Sequence, residues 1–384
     1  MKKSFCIILL ALSVSACIYP YEAELDGNAP ERLVVSGDIL IGEETTIDLG
    51  YVFPLNDYLE ETRPATPEGS VVVENDKGQE FRGVPVKKGK AGRYLIDTSN
   101  APENARYRLV IKLNDGREFN TPWSGVNQAP EITDLSYDVD KNNLKLYCSL
   151  DGRDSIWNFS WEYDEVWEYH AYFSPDLLYV DGEYVLTPKY DAFYYCWDSR
   201  SSVEPCLASA DGLTVNKIER NNFHTMSRSD NRISYLYSIK VTVRGLSSSA
   251  RAYMENMKNL SNGTGDLFTP TPSEMRGNIS CVSDPDEQVV GYVSVCKRSS
   301  HRIFISAMRI YKMPIVPESL LFYPEPDEDG NYDLPYLFRT NSPVSCDDDE
   351  PNEKNVRWGP KRCTDCRAWG GTKTKPDWWP NDDK

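Results

Sequence analysis

Apolar and polar positions alternate along most of this chain, in short bursts separated by glycine, proline and Asn/Asp clusters. That period of two predicts strands. Residues 33–40 form the first such run and residues 45–49 the second. Residues 70–74 meet a turn at Asn75-Asp76-Lys77-Gly78, and residues 93–96 follow. Residues 107–113 end at Asn114-Asp115-Gly116, with residues 118–121 beyond. Asp-Gly after an alternating strand predicts a hairpin whose return strand is that last segment. Short strands at this spacing predict an N-terminal immunoglobulin-like β-sandwich over residues 31–126. Asn127-Gln128-Ala129-Pro130 reads as a linker. Further strands at 132–137, 144–148, 235–243, 289–295 and 302–305 predict a larger β-rich domain over residues 127–384. One short helix interrupts it: Ser247 to Ser249 cap a segment in which Ala250, Tyr253, Met254, Met257 and Leu260 recur at helical spacing. Those apolar residues are expected in the core. The fold class expected is therefore mainly β, stapled by disulfides.

The N-terminus carries an address. Lys2 and Lys3 precede an apolar stretch, residues 5–14, which is too short to span a bilayer and reads as an export signal. Val14-Ser15-Ala16-Cys17 resembles a bacterial lipobox. The expectation is a lipoprotein signal peptide over 1–16, acylation of Cys17, and a lipidated, acidic, proline-containing tether over 17–30. More than one acyl chain on a residue anchors stably. Beyond the signal there is no apolar run of about 18 residues, so the lipid is the expected attachment to the outer membrane. Acidic residues behind the cysteine resemble the surface-export signals of Bacteroidetes lipoproteins, which implies exposure to the cell exterior.

Charge narrows the partners. The chain has 384 residues, with 42 Lys and Arg against 59 Asp and Glu, a formal charge of −17. Such a surface repels phosphate backbones, so no nucleic-acid partner is expected. His170, His224 and His301 are the only histidines, are widely separated, and receive no role. No nucleophile elbow, zinc-protease helix or phosphate loop is present. Glu162, Asp164, Glu165 and Glu168 are close enough for a glycosidase pair but read as a solvated face. Asp347-Asp348-Asp349-Glu350 lacks the alternating ligands and glycine of a calcium loop. No metal and no cofactor are expected. Asp154-Ser155-Ile156 resembles a Bacteroidetes O-glycosylation signal.

Apart from Cys6 and Cys17, eight cysteines remain: Cys148, Cys196, Cys206, Cys281, Cys296, Cys346, Cys363 and Cys366. An even number in an oxidising compartment reads as a disulfide framework. Cys196 with Cys206 would close a short loop, Cys281 with Cys296 would face each other across a hairpin, and Cys346 would pair with Cys363 or Cys366. The spacing of Cys363 and Cys366 also suits a zinc knuckle or redox pair, but no histidine follows His301 and no βαβ context surrounds it.

The compositional anomaly is aromatic. Between Trp157 and Trp197, 15 of 41 residues are Trp, Tyr or Phe, against 12% in the whole chain. Trp157, Phe159, Trp161 and Trp197 are expected in the core. Tyr169, Tyr172, Tyr179, Tyr184, Tyr190, Tyr194 and Tyr195 form a run interrupted by proline and glycine, which has the composition of a contact surface for a partner or ligand, while packing of the rings in the core or against their own loop is the expectation favoured over it.

The ordered set of segments resembles a known family. It comprises the lipobox, Leu33-Val34-Val35-Ser36-Gly37, the sandwich, Trp161-Glu162-Tyr163, Cys196-Trp197 and the helix near 248–260. Leu267-Phe268-Thr269-Pro270, Arg276-Gly277-Asn278-Ile279 and Gly291-Tyr292 follow, then Cys363-Thr364-Asp365-Cys366, Gly370-Gly371 and Pro376-Asp377-Trp378. Together they look like an uncharacterised Bacteroidetes outer-membrane lipoprotein family, a domain of unknown function often found alongside TonB-dependent transporters. The resemblance implies a non-enzymatic accessory of such a β-barrel in nutrient uptake, and carries over no catalytic residues. The alternatives are an adhesin that binds a glycan or peptide ligand through the tyrosines and, third, a surface hydrolase working through paired carboxylates.

Overall fold

The computed structural model describes residues 32–52, 66–86, 92–153, 155–187, 193–261, 277–306, 310–312, 318–348 and 350–380. The signal peptide, Cys17, the tether, Asp154, Tyr190 and residues 267–270 lie outside them. The fold is mainly β, as the alternation predicts.

Two sheets build the N-terminal sandwich. Its strands are β1 (Leu33–Ser36), β2 (Ile39–Leu40), β3 (Glu44–Tyr51), β4 (Gly69–Asn75), β5 (Glu80–Arg82), β6 (Val84–Pro85), β7 (Arg93–Asp97), β8 (Tyr107–Leu113) and β9 (Glu118–Asn120). One sheet has the order β1-β3-β7-β6, and the other runs β9-β8-β4-β5. Every second residue points inward: Ile47 and Leu49, Val71 and Val73, Tyr94 and Ile96, Tyr107, Leu109 and Ile111 share one core.

The run expected as a single strand over 33–40 is broken in two. Gly37 has φ +127°, and a Cβ there would lie 2.2 Å from the Thr46 carbonyl oxygen. The chain turns at this glycine, and β2 leaves to pair in parallel with β20 (Val295–Cys296). Ile279, Cys281, Val289, Val293 and Val295 enter the same core, and β19 (Ser280–Cys281) joins the edge at β9. The sandwich thus includes a segment that returns from far along the chain. Within it the strand expected over 289–295 is confined to its end, because Gly291, at φ +139°, interrupts the extension.

Beyond residue 130 a second pair of sheets forms. β10 (Glu131–Val139), β11 (Asn143–Asp151) and β17 (Lys217–Ser227) make three antiparallel strands. Facing them is a five-stranded sheet centred on β12 (Asn158–His170) and β18 (Leu236–Leu246), flanked by β15 (Tyr195–Ser201), β16 (Cys206–Ser209) and β21 (Arg298–Ser306). Odd-numbered residues of β12, from Phe159 to Tyr169, pack between the sheets. Its even-numbered face is covered at both ends, with Glu162 and Asp164 exposed between. Arg251 of α1 (Ser248–Ser261) donates to Asn158, and Trp379 donates to Glu168. Ser247 caps α1 by accepting the Ala250 N–H at 3.1 Å. Ala250 is buried, whereas Met257, expected in the core, is exposed on the outer side of the helix.

A smaller lobe completes the chain. The hairpin of β13 (Leu177–Val180) and β14 (Glu183–Leu186) packs with α2 (Leu334–Thr340), β22 (Asn341–Cys346) and β23 (Val356–Pro360) around Leu177, Val356 and Trp358. A helical turn at Lys361–Thr364 then leads into a C-terminal strap, which runs along β15 and reaches Trp379.

Cys196 on β15 is bridged to Cys366 on the strap, 170 positions later. That corrects the expected Cys196–Cys206 loop and the pairing of Cys346 with Cys366: β15 and the strap lie side by side, and Cys206 sits on β16 facing a different core. Cys148, Cys206, Cys281, Cys296, Cys346 and Cys363 are unbridged. Cys281 and Cys296 do not close a hairpin, since one is on the edge beside β9 and the other beside β2.

Candidate functional site

A cavity of about 370 Å³ opens at the C-terminal end of β12. Trp167, Tyr169 and His170 line it from that strand, and Ala171 and Tyr172 from the residues just beyond. The segment that returns into β15 adds Tyr194 and Asp198. The connection before β18 adds Asp230, Asn231, Arg232, Ser234 and Tyr235, and more distant segments add Tyr311 and Trp369. Seven of the lining residues are Trp or Tyr.

Local rules place several of these groups. Asp230 caps a short 3-10 turn by accepting the Arg232 N–H at 3.0 Å, which aims the Arg232 guanidinium at β12. There it forks onto Glu165, 2.8 and 2.9 Å from its two oxygens, while Nε and the second terminal nitrogen bind Asp230. The Tyr237 hydroxyl donates to Glu165 at 2.7 Å, and His224 Nε2 lies 3.2 Å from the same oxygen. Glu165 is only 1% exposed. Burial pushes its pKa up, but the hydrogen bonds from His224 and Tyr237 and the charge of Arg232 outweigh that and hold it below the ordinary range. Asp230 is shifted the same way: burial opposes, and Arg232 prevails. Arg232 is raised chiefly by its hydrogen bond to Asp230. Within this cluster each carboxylate has a cation against it, while His224 Nε2 is buried near Glu165 without a well-aimed hydrogen bond.

The ring walls are held as firmly. His170 pairs with Glu168 at 2.9 Å and stacks on Tyr235 with ring centroids 3.8 Å apart. Tyr194 and Tyr195 pack against the same imidazole. Tyr169 donates to the Cys366 carbonyl at 2.7 Å and accepts the Gly371 N–H at 2.9 Å, and burial raises its pKa to about 12. Tyr311 donates to Asn231 at 2.7 Å; burial and its neighbour Tyr172 raise it to about 12. Trp369 stands edge-on to Tyr172 at 6.4 Å, so the strap supplies one wall. The Ser234 hydroxyl oxygen is buried with no hydrogen-bond partner among the described residues.

The tyrosines read as either a contact surface or self-packing rings divide. Tyr172 and Tyr194 line the cavity together with Tyr169, which is 6% exposed and belongs to the core rather than to an open surface. Tyr195 packs behind His170. Tyr179 and Tyr184 lie elsewhere, on the β13–β14 hairpin against Phe338, because that hairpin folds onto the smaller lobe. Of the four expected core aromatics, Phe159 and Trp161 are fully buried, and Trp157 and Trp197 are half-buried.

Glu162 and Asp164 are exposed as expected of a solvated face, but Glu165 and Glu168 are not. They lie where β12 is covered on both sides. His170 and His224, given no role from sequence, are the partners of these two carboxylates. Asp230, Arg232, Tyr235, Tyr311 and Trp369 were not foreseen; the Asp-x-Arg spacing of a capped turn was the one local signal.

Comparison with known proteins adds the family. The domain of unknown function DUF4249 matches residues 18–302. No curated protein matches. Among solved structures, the chain is similar to a DUF4785 family protein from Legionella pneumophila at 10% identity and a TM-score of 0.17, covering 54% of this chain and 51% of that one. It is also similar to trypsin-activated alpha-2-macroglobulin from Escherichia coli at 13% identity and a TM-score of 0.17, covering 58% of this chain and 15% of that one. The chain therefore spans about half the length of the first structure and a small part of the second. With the family model covering most of its length, the mainly β chain described above belongs to the DUF4249 family.

Proposed function

We propose that this chain is a non-enzymatic, lipid-anchored protein of a Bacteroidetes outer membrane, facing the cell exterior. In this reading it captures a small ligand and passes it to a TonB-dependent β-barrel transporter. The observation that carries it is the cavity at the end of β12, about 370 Å³ with Trp and Tyr as half of its lining, which is the size and lining of a small-molecule site. The arrangement of charge supports binding over chemistry. Glu165 is locked by Arg232, Tyr237 and His224, the condition of an anchored ion rather than of a group that shuttles protons. The lipobox at Cys17 and the acidic tether support the location, and the family resemblance supports the transporter.

The test is affinity purification of the tagged, lipidated protein from native outer membranes, followed by mass spectrometry. A stoichiometric TonB-dependent barrel is the expected result. A protein recovered alone under gentle detergent overturns the accessory role and leaves the cavity to an adhesin.

A further inference from the structure

We infer that the cavity selects an organic cation, a ligand bearing an ammonium or quaternary ammonium group, over neutral sugars and over anions. This deepens the reading of the cavity as the capture site and rests on it.

Anions are disfavoured first. Arg232 is the sole arginine or lysine among the lining residues, and its donors are already spent on Glu165 and Asp230. One guanidinium therefore stands against the two carboxylates of the lining, Asp230 and Asp198, with buried Glu165 behind it. His170 adds no free donor on its Glu168 side, because Nε2 is held there at 2.9 Å. An incoming carboxylate or phosphate meets net negative charge and no unengaged guanidinium.

Neutral sugars need convergent hydrogen-bond donors and acceptors around a stacking ring. Here the tyrosine hydroxyls are turned to internal duty: Tyr169 binds the strap backbone, and Tyr311 binds Asn231. Among the described lining residues, Ser234 is the buried hydroxyl without a partner. That is a thin set for a polyol.

A cation needs less. Aromatic faces attract it through their quadrupoles, and a single nearby carboxylate adds to the pull. Tyr172, Tyr311 and Trp369, the rings of the lining that are neither buried nor stacked on His170, supply the faces. Asp198 supplies the carboxylate, its Oδ1 accepting the Ser199 N–H at 2.8 Å. Trp369, 44% exposed at the mouth opposite Tyr172, completes the ring wall from the strap.

The test is isothermal titration of the full chain with four probes: choline, its uncharged carbon isostere, methyl glucoside and acetate. Choline is expected to bind at least about tenfold more tightly than the isostere, with acetate weakest. Asp198→Asn should erase most of that preference. Trp369→Ala should weaken choline binding without lowering the melting temperature, since the ring is largely outside the core. Equal binding of choline and its isostere overturns the inference, as does a preference that survives Asp198→Asn. Preferred binding of the glucoside, lost in Trp369→Ala, overturns cation selection but leaves the cavity as the capture site. Failure of choline to bind at all also overturns it, whatever the membrane purification yields.

Discussion

The hydroxyl of Tyr169 donates to the backbone carbonyl of Cys366, 197 positions away, at 2.7 Å. The same oxygen accepts the Gly371 N–H, so one side chain at the end of β12 fastens the C-terminal strap at two points. Tyr169→Phe should leave the buried Cys366 carbonyl and the half-buried Gly371 N–H without this partner. The expected cost is about 1–3 kcal/mol, read from urea unfolding, with proteolysis of the strap accelerating in parallel.

The bridge between Cys196 and Cys366 fastens the strap covalently. Closing so long a loop is expected to contribute about 2–5 kcal/mol by restricting the unfolded chain. The double variant Cys196→Ser, Cys366→Ser should lose that amount. Adding reductant to the native chain should reproduce the loss, and adding it to the variant should change nothing. A reductant effect on the variant would mean that another cysteine pair is bridged in solution.

Acid should unfold the protein through Glu165 and Asp230. Both have folded pKa values below their ordinary ones, because the bonds from His224, Tyr237 and Arg232 outweigh burial. Their contribution is complete above the unfolded carboxylate range and disappears as pH falls through the folded values. The urea midpoint should hold from neutrality to about pH 5 and then drop steeply below about pH 4. Glu165→Gln leaves Arg232 buried with one counter-ion fewer. It should cost about 3–5 kcal/mol at neutral pH while flattening the acid limb.

Gly37→Ala tests the break between β1 and β2. The new methyl carbon would collide with the Thr46 carbonyl, and the backbone there is left-handed at φ +127°. A loss of at least about 1–3 kcal/mol is expected in thermal or urea unfolding. A neutral result would mean that the chain reaches β2 by another path.

Much of the sandwich was legible because its strands show one face to a core and one to solvent, as in residues 107–113. The break at Gly37 was hidden inside an apolar run, where a single glycine reads as a tolerated interruption. The centre of β12 misled for a physical reason: Glu165 and Glu168 carry the same charges as exposed Glu162 and Asp164, and only tertiary coverage separates them. Aromatic density pointed toward Tyr172 and Tyr194. The groups opposite them, Arg232, Tyr311 and Trp369, arrive from segments whose proximity no local pattern encodes. The partner of Cys196 was hidden for the same reason.

The parallel pairing of β2 with β20 has a consequence in time. A chain that emerges N-terminus first presents residues 39 and 40 long before residues 295 and 296, so the first sandwich cannot finish its core until the later segment arrives. Ile39 and Leu40 wait, exposed, until the intervening sheets have been made. The loop that must close is long, which favours slow completion and a chaperone-dependent interval. Truncation after residue 126 should yield an aggregating fragment, and folding should register its final step only when the chain has doubled back on its own beginning.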